Sequence, residues 1–216
     1  MATYSQPHPR IKIYDNVLSE SDHEFMFQTC LAAPYFLGWG DTVLHKQTHL
    51  HSTISGDVWD RVRNQDMKLL NSPPFDIVNI LSQTEACREF KDNSVHKSVI
   101  NLDTIADTHA AHDHRGQIVA LLYINPFWKP SWGGETLFFD SITDELILAI
   151  PYTPNRIVVF DGEIDHSFNG PNIVSQIKHR FSISTFFYSD EMAGKGDLEE
   201  YLDDLQQFIA MRANDV

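Results

Sequence analysis

Two separated segments carry the side chains best suited to chemistry. One is His112-Asp113-His114, just upstream of a strand-like run at Ile118–Asn125; the other is Asp165-His166, which follows the strand-like run Arg156–Phe160. In an extended chain residues i and i+2 project to the same side. His112 and His114 would then point together, with Asp113 on the opposite side. A barrel that brings His166 across from them would surround one ion with three imidazoles and leave positions open, as a catalytic centre requires. Imidazole suits iron, zinc and copper alike, so these residue types alone do not select the metal. Arg180 stands in an otherwise apolar run beside Phe181 and Ile183. If that strand is buried, the guanidinium needs an anionic partner, because an unpaired buried charge is costly.

Those residues need a scaffold of strands. From Val95 onward, β-branched and aromatic runs recur at Val95–Thr104, Ile118–Asn125, Thr136–Asp140, Leu146–Ile150, Arg156–Phe160, Ile173–Ile177 and Phe181–Tyr188. Pro, Gly, Asn and Asp separate them, which suits antiparallel strands in a sandwich or barrel. Upstream, Arg10–Tyr14 alternates like a short strand. Ser21 with Glu24 reads as a capping box that opens a helix ending before Pro34. The stretch from Gly38 to Gly56 reads as a loop with His45, His49 and His51 on the surface, and helices are expected within Val58–Leu70 and near Phe75–Phe90. Leu198, Tyr201, Leu202, Leu205 and Ile209 recur at helical spacing, so Asp197–Arg212 is expected to be an amphipathic helix. Trp128 and Trp132 read as loop packing.

At 216 residues with 42% apolar and 12% aromatic content, the chain can bury one sizeable core, and a single domain over 1–216 is expected. Sixteen Lys+Arg against 30 Asp+Glu give a formal charge of −14, which disfavours nucleic acid and anionic lipid in the absence of a basic patch. Cys30 and Cys87 have neither metal-type spacing nor a disulfide framework. No apolar run approaches the length of a membrane span, and the first residues lack a basic-then-apolar leader pattern. A soluble, reducing, cytoplasmic setting is the expectation. Oligomeric state is not legible.

Longer motifs sharpen this reading. The run Leu121-Leu122-Tyr123-Ile124-Asn125-Pro126-Phe127-Trp128 and then Trp132-Gly133-Gly134-Glu135-Thr136-Leu137-Phe138 resemble the iron(II)/2-oxoglutarate-dependent dioxygenases, in their prolyl-4-hydroxylase-like branch. So do Pro154–Asp161 with His166 following, and Arg180-Phe181-Ser182. The resemblance spans roughly Val95–Tyr188. It implies an α+β fold built on a double-stranded β-helix (a jelly-roll, cupin-like barrel) over about 95–188. Helical support over about 10–94 and the C-terminal helix at about 197–212 would flank that barrel.

The resemblance also implies iron(II) as the metal, with 2-oxoglutarate and O2 as co-substrates. His112 matches the family's first histidine and His166 its distal one. Arg180 matches the residue that holds the far carboxylate of 2-oxoglutarate, with Ser182 two residues on along the same strand face and Tyr123 lining the pocket. The family carries His-x-Asp where this chain has His112-x-His114. Three neutral imidazoles would leave iron(II) its full charge. Asp113, turned inward at a bulge, or the reversed pair Asp107 and His109 are alternative ligands. The implied activity is hydroxylation of an unactivated C–H bond in a prolyl residue or a small molecule. A three-histidine dioxygenase that uses no 2-oxoglutarate, or a silent metal-binding barrel, would carry the same three histidines.

Overall fold

The computed structural model describes residues 3–40, 46–55, 80–81, 83–90, 95–105, 107, 110–114, 116–177 and 179–188. The chain opens with the hairpin β1 (Thr3–His8) and β2 (Ile11–Asp15), followed by α1 (Glu20–Ala32), β3 (Phe36–Gly40) and β4 (Lys46–Ser55). A 3-10 segment at Glu85–Phe90 precedes β5 (Val95–Asp103), β6 (Gln117–Tyr123), β7 (Thr136–Phe139), β8 (Leu146–Ile150), β9 (Arg156–Asp161), β10 (Asp165–Phe168) and β11 (Arg180–Tyr188). Eight strands form a sheet in the order β1-β2-β9-β6-β11-β5-β4-β3, and β10-β7-β8 form a second one. This two-sheet, mostly β arrangement is the double-stranded β-helix expected from the sequence.

The large sheet is covered on both faces, which explains why β6 reads as a continuous apolar run rather than an alternating one. Ala120, Leu122, Ile157, Val159 and Ile183 share one core cluster with Met26 and Cys30 of α1. The alternate positions Val119, Leu121, Tyr123, Val158 and Phe160 join Phe138 of β7 and Ile150 of β8 in a second cluster, between the sheets. The period-two side-chain geometry thus sorts one strand set into two cores.

Helix α1 begins two residues earlier than the Ser21/Glu24 reading predicts. Ser19 is the N-cap: its hydroxyl accepts from the Asp22 amide at 3.1 Å and donates to the Asp22 carboxylate at 2.6 Å. Asn155 holds the chain just before this cap. Its side chain accepts from the Leu18 amide at 2.9 Å and donates to the Leu18 carbonyl at 3.0 Å.

Other expectations are corrected. The stretch read as a loop from Gly38 to Gly56 holds β3 and β4, which extend the large sheet beyond β5. His51, expected on the surface, is buried in β4. The support over about 10–94 is therefore part sheet and part helix. Ile173–Ile177 is not a strand: it forms turns, with Ile173 and Val174 exposed. Asn172 sets this turn, its Oδ1 accepting from the Val174 amide at 3.1 Å and its carbonyl from the Ser175 amide at 3.0 Å. Trp128 and Trp132 pack edge-to-face, 5.7 Å apart and buried, as loop packing predicts. The helices expected within Val58–Leu70 and at Asp197–Arg212 lie outside the described residues; of the one near Phe75–Phe90, residues 80, 81 and 83 are helical and Glu85–Phe90 is a 3-10 segment.

Candidate metal centre

Main-chain pairing brings the first and third histidines together. His112 and His166 form an isolated antiparallel bridge, with His112 N donating to His166 O at 3.1 Å and His166 N to His112 O at 2.9 Å. His114 is placed by a separate contact, its amide donating to Gly162 O at 2.6 Å. Only glycine permits this approach: a Cβ on Gly162 would run into the carbonyl oxygens of His114 and Gln117. The three rings lie 4.5 to 5.1 Å apart centre to centre.

One ligand atom from each histidine falls within 4.8 Å of the other two, so the group could hold a metal ion. The tautomers support this. Nδ1 of His112 lies 3.0 Å from Ala110 O, and Nδ1 of His166 lies 3.0 Å from Ile164 O. A carbonyl can only accept, so each Nδ1 carries the proton and leaves Nε2 with its lone pair for a metal. Burial, aided by neighbouring His112, pushes His166 down to about 3, so its imidazole is neutral. Neutral nitrogen donors on one side of a cavity, with the rest of the sphere open, fit iron(II).

Asp113 is not in that group of close ligand atoms. The Asp107 carboxylate is instead committed to a turn, accepting from Thr104 N at 2.6 Å and Thr104 Oγ1 at 2.8 Å; Thr108 and His109 lie outside the described residues.

The same cavity is also lined by Arg180, Ser182, Ser184, Thr136 and Ser167. Arg180 is 1% exposed. Its Nη1 donates to Asp103 Oδ2 at 2.5 Å and to Ser182 Oγ at 3.3 Å, its Nε to Gly134 O at 3.1 Å, and its Nη2 to Thr136 Oγ1 at 3.4 Å. Burial alone would favour the uncharged guanidine, but the Asp103 charge and the Tyr123 and Tyr152 hydroxyls outweigh it and raise its pKa. Positive φ at Gly133 (76°) and Gly134 (88°) turns the chain so that the Gly134 carbonyl meets Arg180. Tyr123, wholly buried, lies with its ring 5.4 Å from the guanidinium carbon and its hydroxyl 2.7 Å from Thr136 Oγ1. It therefore reaches the cavity through two residues that line it.

The structure thus gathers His112, His114 and His166 at one place and Arg180 and Ser182 at another within a single cavity. Sequence reasoning missed Asp103, Thr136, Ser184 and Gly162. Ser184 was accessible to it, since Arg180, Ser182 and Ser184 alternate along one strand face. Asp103 was not, because its meeting with Arg180 depends on the β5–β11 register.

Residues 95–188 match the model of the 2OG-Fe(II) oxygenase superfamily. No curated protein matches the chain by sequence. Among solved structures, the chain is similar to a prolyl hydroxylase in complex with a hypoxia inducible factor oxygen degradation domain peptide fragment, from Trichoplax adhaerens. That match has 14% identity and TM-score 0.59 and covers 84% of each chain. A prolyl-4-hydroxylase of Pseudomonas putida matches at 15% identity and TM-score 0.53, over 83% of this chain and 92% of that one. A non-haem alpha-ketoglutarate-dependent carbocyclase from nogalamycin biosynthesis matches at 11% identity and TM-score 0.56, over 88% and 85%. At these identities the likeness is one of fold. The family implies iron(II), 2-oxoglutarate and O2, and the three-histidine group fits the iron. Residues 95–188 thus resemble the 2OG-Fe(II) oxygenase superfamily, in a fold similar to that of prolyl hydroxylases, with His114 where the resemblance expects the carboxylate of a His-x-Asp motif.

Proposed function

We propose that this protein is an iron(II)- and 2-oxoglutarate-dependent oxygenase that hydroxylates an unactivated C–H bond. The observation that carries this reading is one cavity with three close imidazoles at one part of its wall and a buried arginine at another. His112, His114 and His166 would hold the metal. Arg180 and Ser182 would anchor the co-substrate, and Tyr123 would back that end of the pocket through Thr136. When bound, iron(II) with 2-oxoglutarate and O2 supplies the oxidation: one oxygen atom enters succinate as carbon dioxide leaves, and the other enters the product hydroxyl.

The chain's own groups supply orientation and a dry site. The carbonyls of Ala110 and Ile164 fix two ring tautomers. Phe160 and Phe186 pack edge-on against His166 and His114 and restrict water beside the metal position. A prolyl residue of a peptide and a small molecule both remain candidate substrates. Among proteins of similar fold, one is in complex with a peptide and another is a carbocyclase of a biosynthetic route.

The pairing of Arg180 with Asp103 favours a second reading, a three-histidine dioxygenase that needs no 2-oxo acid. Turnover separates the two. Protein reloaded with iron(II) should convert 2-oxoglutarate to succinate in air, with oxygen uptake depending on the 2-oxo acid. Oxygen uptake that is indifferent to 2-oxoglutarate would select the second reading.

A further inference from the structure

Asp103 and Arg180 are direct cross-strand partners on β5 and β11, and their side chains are 0% and 1% exposed. Together with Ser182, Gly134 and Thr136, Asp103 occupies four of the five guanidinium N–H donors. Elsewhere in the cavity the metal-binding group holds, among the described residues, three histidines and no carboxylate. A metal-bound imidazole is neutral, since its ligating nitrogen carries no proton, so the ion there would keep its full double charge. The carboxylate missing from the metal end is present at the arginine end. The net charge of the cavity matches that of a site with a metal-bound aspartate and an unpaired arginine, but its distribution differs. Positive charge is concentrated at the metal, and the arginine end is already compensated.

A 2-oxo acid meets this distribution with its two ends. Its 1-carboxylate and keto oxygen suit the metal end. A second carboxylate at the far end would be attracted by Arg180 and repelled by Asp103 from beside it, and the two effects largely cancel. The hydroxyls of Thr136 and Ser182 beside Arg180 can donate or accept, so they suit an uncharged tail as well as a charged one. Taking the Proposed function as its basis, we propose that Asp103 is a specificity-determining residue for the co-substrate. By neutralising Arg180 it removes the preference for a dicarboxylate, so the site accepts 2-oxo acids with uncharged tails about as well as 2-oxoglutarate.

Anaerobic titration of the iron(II)-loaded protein with 2-oxoglutarate and with 2-oxovalerate, followed by the charge-transfer band of the chelate, tests this as binding rather than turnover. Removing a like charge beside an anion changes affinity by at least about tenfold. The wild-type dissociation constants should therefore differ by less than about tenfold, and Asp103→Asn should tighten 2-oxoglutarate by about tenfold or more while leaving 2-oxovalerate nearly unchanged. The wild-type ratio stands by itself if the variant does not fold. A wild-type preference for 2-oxoglutarate above about a hundredfold, or weaker 2-oxoglutarate binding in Asp103→Asn, would overturn the assignment while leaving the oxygenase reading intact. A band with neither acid would overturn both.

Discussion

His112 and His166 exchange both of their backbone hydrogen bonds, at 3.1 and 2.9 Å, across a bridge that belongs to neither sheet. This clip ties the loop before β6 to β10. The main chain, more than the side-chain torsions, therefore sets the 4.5 Å spacing of the two rings. The ligand set is thereby separated from the integrity of the fold.

Replacing either ring should accordingly remove metal and spare structure. His112→Ala and His166→Ala are expected to retain the far-ultraviolet dichroism of the parent. Their affinity for iron(II) or cobalt(II) should fall by more than the ~10–100-fold typical of outer-shell changes. Calorimetric titration under nitrogen reads this directly. Full affinity in both variants would place the metal elsewhere.

Gly162→Ala tests the seat of His114. The added methyl meets backbone carbonyls that cannot rotate away, so the loop must shift. Overpacking of this kind costs about 1–3 kcal/mol. A lower melting temperature should come with weaker metal binding, although no ligand has been changed. A variant with the parent's melting temperature and metal affinity would show that this contact is dispensable.

Tyr152 joins the end of β6 to the start of β11. Its buried hydroxyl accepts from Asn125 N at 2.8 Å and lies 2.7 Å from both Asn125 Oδ1 and Phe181 O. Tyr152→Phe leaves those buried groups short of a partner at a cost of about 1–3 kcal/mol. Urea unfolding should show a lower midpoint with an unchanged slope. An unchanged midpoint would mean that the three groups find other partners.

Both cysteines should be chemically silent in the native protein. Cys30 and Cys87 are 0% exposed, and burial pushes the Cys30 thiol far above its ordinary value, which suppresses the reactive thiolate. Ellman's reagent should detect neither thiol until denaturant is added, and both thereafter. Rapid labelling without denaturant would contradict the burial of Cys30 on α1 or of Cys87 in the Glu85–Phe90 segment.

Much of the barrel was legible because its strands announce themselves locally. Leu146–Ile150 falls where the sequence places it, and Arg156–Phe160 and Val95–Thr104 differ from the observed strands by one residue. The N-terminal strands were less visible. β3 and β4 carry glycine, histidine, serine and threonine where apolar alternation would be expected, and their order comes from pairing with each other and with β5. Asp165–Phe168 is absent from the expected strands for a similar reason: DHSF has little strand character of its own and is held by β7.

By itself the sequence determined the chemistry on offer: imidazoles at i and i+2, a third one distant, and an arginine with a serine on one strand face. Residue type and period-two geometry are local properties, and they survive without knowledge of the fold. The tertiary structure decided which groups meet. Register across β5 and β11 set Asp103 against Arg180, and an isolated bridge set His112 against His166. Such meetings depend on strand order and stagger, which are fixed by the packing of the whole core and are written in no single segment.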